Sequence, residues 1–134
     1  MIPEIYMYLA EQAETNVGLP VYKGYPYWAG NTTKVVPPIL ALESRTTGAG
    51  PNARLGQAQA RWQMTFWFWL FARNEPEMNM LLEKLIVWLK GLGAFEINGQ
   101  RVGVSFQMDG QRHPNDSGTQ QEAYAFFMPL TVTW

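Results

Sequence analysis

The sequence predicts an α+β domain: a mostly antiparallel sheet with a long C-terminal-half helix and a short N-terminal helix packed on it. Three observations predict it. Residues 61–73, RWQMTFWFWLFAR, form one long strand with large apolar groups on both faces. Residues 75–90 carry apolar side chains at helical spacing. The elements run α-β-β-β-α-β-β-β with no alternating βαβ units, which favours antiparallel pairing with helices laid against the sheet.

The first element is a helix over about residues 3–13. Ile2, Ile5, Tyr6, Leu9, Ala10 and Ala13 share one face. Pro3 suits the first turn, where a missing N–H costs nothing, and Gly18 and Pro20 end the pattern. Val21-Tyr22 reads as a brief strand, followed by loop through the Gly-Tyr-Pro-Tyr-Trp and Gly30-Asn31 segments. Pro37-Pro38 then introduces a buried strand, Ile39-Leu40-Ala41-Leu42-Glu43. Residues 44–56, SRTTGAGPNARLG, read as a loop longer than most connections, the kind that tends to be functional.

In the aromatic strand, Trp62, Met64, Phe66, Phe68, Leu70 and Ala72 point one way, and Gln63, Thr65, Trp67, Trp69 and Phe71 the other. A strand with one face in water alternates apolar and polar residues. That alternation fails from Trp67 onward, so the second face must be covered by more of this chain or by another copy. Asn74 then reads as an N-cap, with Glu75 and Glu77 at the positive end of the helix dipole. Met78, Leu81, Leu82, Leu85, Trp88 and Leu89 form the buried stripe, and Gly91 the stop. Residues 94–106 read as a hairpin turning at Asn98-Gly99, because a type I′ turn needs two residues with positive φ. Residues 108–121 read as a polar loop. The last strand, residues 122–134, puts Tyr124, Phe126, Met128, Leu130, Val132 and Trp134 on one face. Pro129 inside it lacks a ladder donor and places that point at an edge or bulge.

At 134 residues the chain fits a single domain, 1–134, with one core. A net charge of −1 with scattered basic residues lacks the stripe of a dedicated DNA-binding domain. The absence of cysteine excludes disulfides, thiolate metal sites and a cysteine nucleophile. One histidine excludes a zinc site built on a histidine pair. No cofactor is expected. The start, MIPEIYMYLAEQAE, has no Lys or Arg before Lys23 and does not read as a secretory leader. No apolar run approaches the roughly 20 residues of a membrane span. The expectation is a protein made in the cytoplasm and kept soluble, with no membrane partner.

Catalytic readings are weak. His113 would need Asp109 or Asp116 to orient it and Ser117 to attack, and nothing in the spacing brings these together. Glu75, Glu77 and Glu83 are explained by helix position rather than by a paired-carboxylate site. The glycines of residues 48–56 precede a strand, whereas a phosphate-binding loop opens a helix. No enzyme is expected. The serious candidates are Trp67, Trp69 and Phe71. Their alternatives are a subunit contact, burial within the monomer, or a sugar-stacking platform together with Tyr25, Tyr27 and Trp28. Arg45 and Arg54 in the Gly-rich loop are candidates to meet backbone phosphates or acidic partners.

The order of these features resembles a known family. A short helix leads to a Pro-preceded strand, and a Gly-rich loop to a long strand opening Arg61-Trp62-Gln63. Phe71-Ala-Arg-Asn-Glu-Pro-Glu77 opens a Leu-rich helix, and the chain closes on the strand from Tyr124 to Trp134. Over nearly the whole chain this resembles the tail terminator, or tail completion, proteins of long-tailed bacteriophages. The resemblance rests on architecture and on the local pattern of residues 62–89. It implies a non-enzymatic subunit of a homo-oligomeric ring, commonly a hexamer. Such a ring caps the tail tube, ends polymerisation and joins tail to head. The implied partners are the tail tube protein, head–tail connector or neck proteins, and DNA passing through the lumen without sequence-specific binding. The implied place is the virion tail or neck, assembled in the host cytoplasm. A related neck or head–tail completion role and an aromatic-platform carbohydrate-binding module are the alternatives. For a ring, Trp67, Trp69 and Phe71 are expected at a subunit interface. Arg45 and Arg54 are expected to reach a neighbour, the tube or the lumen.

Overall fold

A computed structural model describes residues 1–24, 37–49, 62–106, 111–113 and 124–134. It has the α+β fold, with two helices and a mostly antiparallel sheet. The elements are α1 (Ile2–Val17), β1 (Val21–Lys23), β2 (Ile39–Ala49), β3 (Trp62–Ala72) and α2 (Glu75–Leu92). The short strands β4 (Ala94–Ile97), β5 (Gln100–Phe106) and β6 (Gln111–His113) follow, and then β7 (Tyr124–Thr133). The sheet order is β1-β2-β3-β7-β5-β4, with β6 also paired to β7. Every pairing is antiparallel except β1 with β2, which is parallel.

The long strand is the centre of this arrangement. β3 pairs with β2 on one side and with β7 on the other along its whole length. Its even-numbered face joins Met64, Phe66, Phe68, Leu70 and Ala72 to the main core. There they meet Ile5, Leu9, Ala10, Ala13 and Val17 of α1, and Met78, Leu81, Leu85 and Leu89 of α2. Phe126, Met128, Leu130 and Val132 of β7 complete that layer, as their alternation predicts. Both helices therefore lie on one face of the sheet. Tyr6 donates its hydroxyl to the Leu42 carbonyl on one flank of α1, and Tyr8 stacks on Phe95 of β4 on the other, at 4.1 Å. Burial raises the Tyr6 pKa, partly offset by a hydrogen bond from the Gly24 backbone.

Several expectations need correction. The predicted contrast between a long and a short helix is absent: α1 has 16 residues and α2 has 18. α1 continues one turn past Ala13 because Val17 is still on the buried face. It stops at Gly18, whose φ of 81° lets its N–H reach the Glu14 carbonyl at 2.9 Å. α2 runs through Gly91 and ends at Gly93, where φ is 53°. β2 does not end at Glu43; it continues to Ala49, so the first part of the expected Gly-rich loop is strand paired with β3. Thr46 and Thr47 favour strand, and pairing with the long β3 carries β2 through them and across Gly48. The expected polar loop of residues 108–121 contains β6. The Asn98-Gly99 turn has positive φ at both residues, 52° and 79°, as predicted.

Pro129 lies in a central strand, and the ladder accommodates it. Trp62 and Trp134 exchange both backbone hydrogen bonds, at 2.9 and 3.1 Å. Bonded and non-bonded pairs alternate along an antiparallel ladder. The Trp67–Pro129 pair is then of the non-bonded kind, and the Pro129 nitrogen points away from β3. On that side the described β5 pairs run to Phe106 opposite Leu130, and the β6 pairs begin with Gln111 opposite Phe127. The missing donor thus falls between the described β5 and β6 pairings.

The start of α2 is fixed by a small polar network. Asn74 Oδ1 accepts from the Glu77 N–H at 2.9 Å, the expected cap. The Glu77 carboxylate in turn accepts from the Arg73 backbone N–H at 3.0 Å and from the Arg73 guanidinium at 2.6 Å. These bonds, led by the guanidinium, hold the Glu77 pKa below the ordinary carboxylate value and raise that of Arg73. A carboxylate with a depressed folded pKa stabilises the fold above its unfolded value of about 4.3. That contribution is lost as pH falls through the folded value. Asn74→Ala is expected to cost about 1 kcal/mol in urea unfolding at neutral pH. Glu77→Gln is expected to lower Tm at neutral pH, and the difference from wild type should close as both are acidified. A Glu77→Gln deficit that persists undiminished in acid would show that the charge is not its source.

Candidate functional site: the aromatic face of the sheet

Among the described residues, no helix packs on the odd-numbered face of β3. Trp69 and Phe71 lie there with Ile39 and Ala41 of β2 in a second buried cluster, flanked by the half-buried Tyr22, Trp67 and Phe127. Cross-strand register explains the grouping: Ile39 pairs with Phe71, Ala41 with Trp69, and Trp69 in turn with Phe127. Trp69 stacks near-parallel with Phe71 at 6.1 Å, and Trp67 stacks on Phe127 at 4.6 Å. Such pairs add about 0.5–1.5 kcal/mol each beyond the area they bury.

The polar edge of this cluster is built from β2. Glu43 lies two residues beyond Ala41, on the same face. One carboxylate oxygen accepts from Trp69 Nε1 at 2.9 Å and the other from Arg45 Nη1 at 2.6 Å. A buried indole N–H needs an acceptor, and Glu43 supplies it. Arg45 sits at a register shift between Ser44 and Thr46, the extra residue of a β-bulge. Its guanidinium lies 3.8 Å over the Trp67 ring. The carboxylate, the guanidinium and the two indoles thus form one connected unit, with Arg45 as its exposed end.

The structure brings Trp67, Trp69, Phe71 and Arg45 together. Trp69 is 5% exposed and Phe71 2% in the single chain, whereas Trp67 is half-buried. The outward surface of the group is therefore offered by Trp67 and Arg45. Arg45 belongs to a strand rather than to the expected loop, because β2 extends past it. Arg54, Tyr25, Tyr27 and Trp28 lie outside the described residues, as do Asp109, Asp116 and Ser117 of the histidine reading. His113 is in β6, paired with Ala125. Glu75 and Glu77 open α2, and Glu83 lies midway along it. Among the described residues, no group of three or more His, Asp or Glu could hold a metal ion. No helix among them is long and apolar enough to cross a membrane.

Sequence reasoning missed Glu43 and Phe127. Both had a signal. Glu43 is an acid ending an otherwise apolar strand, on the same parity as Ile39 and Ala41. Phe127 is the one large aromatic on the less apolar face of the last strand. Their pairing to Trp69 depends on register, which the sequence does not state.

Trp69→Ala is expected to cost about 3–5 kcal/mol in urea unfolding. Arg45→Ala should cost under about 1 kcal/mol, because its ion pair is partly exposed. Equal, small losses for both would place Trp69 outside the core.

No family model and no curated protein matches the chain.

Proposed function

We propose that this chain is a structural subunit that acts by assembly, of the kind that caps the tail tube of a long-tailed bacteriophage. In this reading copies form a homo-oligomeric ring, commonly a hexamer, that ends tail polymerisation and joins tail to head or neck. The ring belongs to the virion, DNA passes through its lumen without sequence-specific binding, and the chain performs no catalysis.

The observation that carries the reading is the element order and its proportions. A helix precedes a Pro-led strand, and that strand pairs with the long aromatic strand over most of its length. The Asn-Glu-Pro-Glu helix start, the tight hairpin and the closing strand beside β3 follow in turn. This is the order on which the resemblance to tail terminator proteins rests. A ring also needs a heterologous contact, one surface meeting a different surface on the next copy. The outward pair of Arg45 and Trp67 supports such a role, because desolvated arginine and tryptophan side chains dominate many interfaces. Trp69 and Phe71 would then act from beneath, holding Trp67 and Glu43 in place. The sugar-platform alternative has less support, since the Trp67 ring is already contacted by a guanidinium and by Phe127.

The test is particle mass by light scattering across concentration, with and without tail tubes, and with electron microscopy of the assembled species. Closed rings, alone or seated on tube ends, are expected. Arg45→Glu together with Trp67→Ala should leave a folded chain that fails to close rings. A chain that stays monomeric in the presence of tubes would overturn the reading.

A further inference from the structure

The solvent face of α2 carries an apolar and charged pattern that the fold does not use. Met80 and Val87 are 52% and 65% exposed, on the side of the helix away from the core. Between them lie Glu83 and Lys84, both exposed and neither in an ion pair among the described residues. Pro76 and Gly91, also exposed, continue the stripe at either end. Met80, Glu83, Lys84 and Val87, together with Asn16 and the half-buried Trp88, border a shallow groove.

The stripe is self-complementary when read in opposite directions. Turn a second α2 antiparallel about the point midway between residues 83 and 84. Met80 then faces Val87 of the second copy, and Val87 faces its Met80. Glu83 faces Lys84 of the second copy, and Lys84 its Glu83. Pro76 falls opposite Gly91, so no long side chain props the helix ends apart. Residues 76, 80, 83/84, 87 and 91 recur at the spacing of one helix face, so all these pairings fall along a single seam.

We propose that α2 docks on α2 of a second copy, antiparallel and about a two-fold axis. The argument for this occupant is charge complementarity: one register matches apolar to apolar and acid to base throughout. A two-fold contact is isologous, so it is distinct from the heterologous contact that closes a ring, and it does not depend on the ring reading. Where rings form, it would pair them face to face. A single helix–helix contact lies at the small end of interface sizes, so the association is weak for free chains and strengthened when several act together.

The register makes the test specific. Glu83→Lys alone sets lysine against lysine twice across the axis, and Lys84→Glu alone sets acid against acid twice. Each single variant should weaken association by about tenfold or more. The double variant Glu83→Lys/Lys84→Glu restores both attractive pairs and should associate as wild type does. An equimolar mixture of the two single variants should also associate, because lysines on one chain then face acids on the other. Sedimentation velocity from micromolar to high-micromolar concentrations reads all four, with circular dichroism confirming that each is folded. Wild type, double variant and mixture are each expected to reach twice the mass of either single variant. Equal masses for wild type and both single variants would overturn the proposal. So would single variants that dissociate but are rescued neither by mixing nor by the second charge swap.

Discussion

The structure depends on one constraint: β3 must be covered on both faces. A six-residue apolar run, from Phe66 to Phe71, puts three large groups on each side of the sheet. Water on either side would leave aromatic surface exposed that stabilises the fold by about 25 cal/mol per Å² when buried. The helices solve one side. On the second side Trp69 and Phe71 are buried in the single chain, packed beside β2 and β7 side chains, with Glu43 supplying the acceptor that the Trp69 indole needs. The order of strands follows from this, since β3 is central only if long partners flank it on both edges.

The fold was largely legible because its signals are local. The periodicity of α1 and α2, the Asn-Gly turn and the alternation of the last strand each report their own element. The extent of β2 was not legible. Residues 44–49 lack an apolar period and contain Gly48, so the two strand-favouring threonines were outvoted, and their pairing is set by the length of β3. The same holds for β6, three residues whose pairing is given by β7. The aromatic cluster was half legible: the failure of alternation at Trp67 announced a covered face. Whether this chain or another covered it depended on contacts between residues distant in sequence, which periodicity does not record. The helix lengths were misjudged where the buried stripe outran the glycine or alanine taken as the end.

Among the described residues, Arg45 with Trp67 and the outer stripe of α2 face outward from the two cores. Arg45, re-aimed by the bulge, presents a charge over an aromatic ring at the edge of the sheet. The α2 stripe presents apolar side chains around a Glu-Lys pair on the opposite layer. They lie on opposite layers of the domain. The Arg73–Glu77 network and the Asn74 cap hold the first turn of α2 relative to the end of β3, which fixes how the outer stripe sits over the sheet.

The central claim is that β3 is sealed on both faces within one chain. Amide hydrogen exchange, followed at concentrations where the chain is monomeric, tests it most directly. The Phe66–Phe71 amides are predicted to be among the slowest in the protein and to exchange only through global unfolding, so that their opening free energy matches the stability from urea unfolding. Amides in Trp67–Phe71 that exchange through local opening in the monomer, and become protected only on assembly, would contradict it and assign that face to a neighbouring copy.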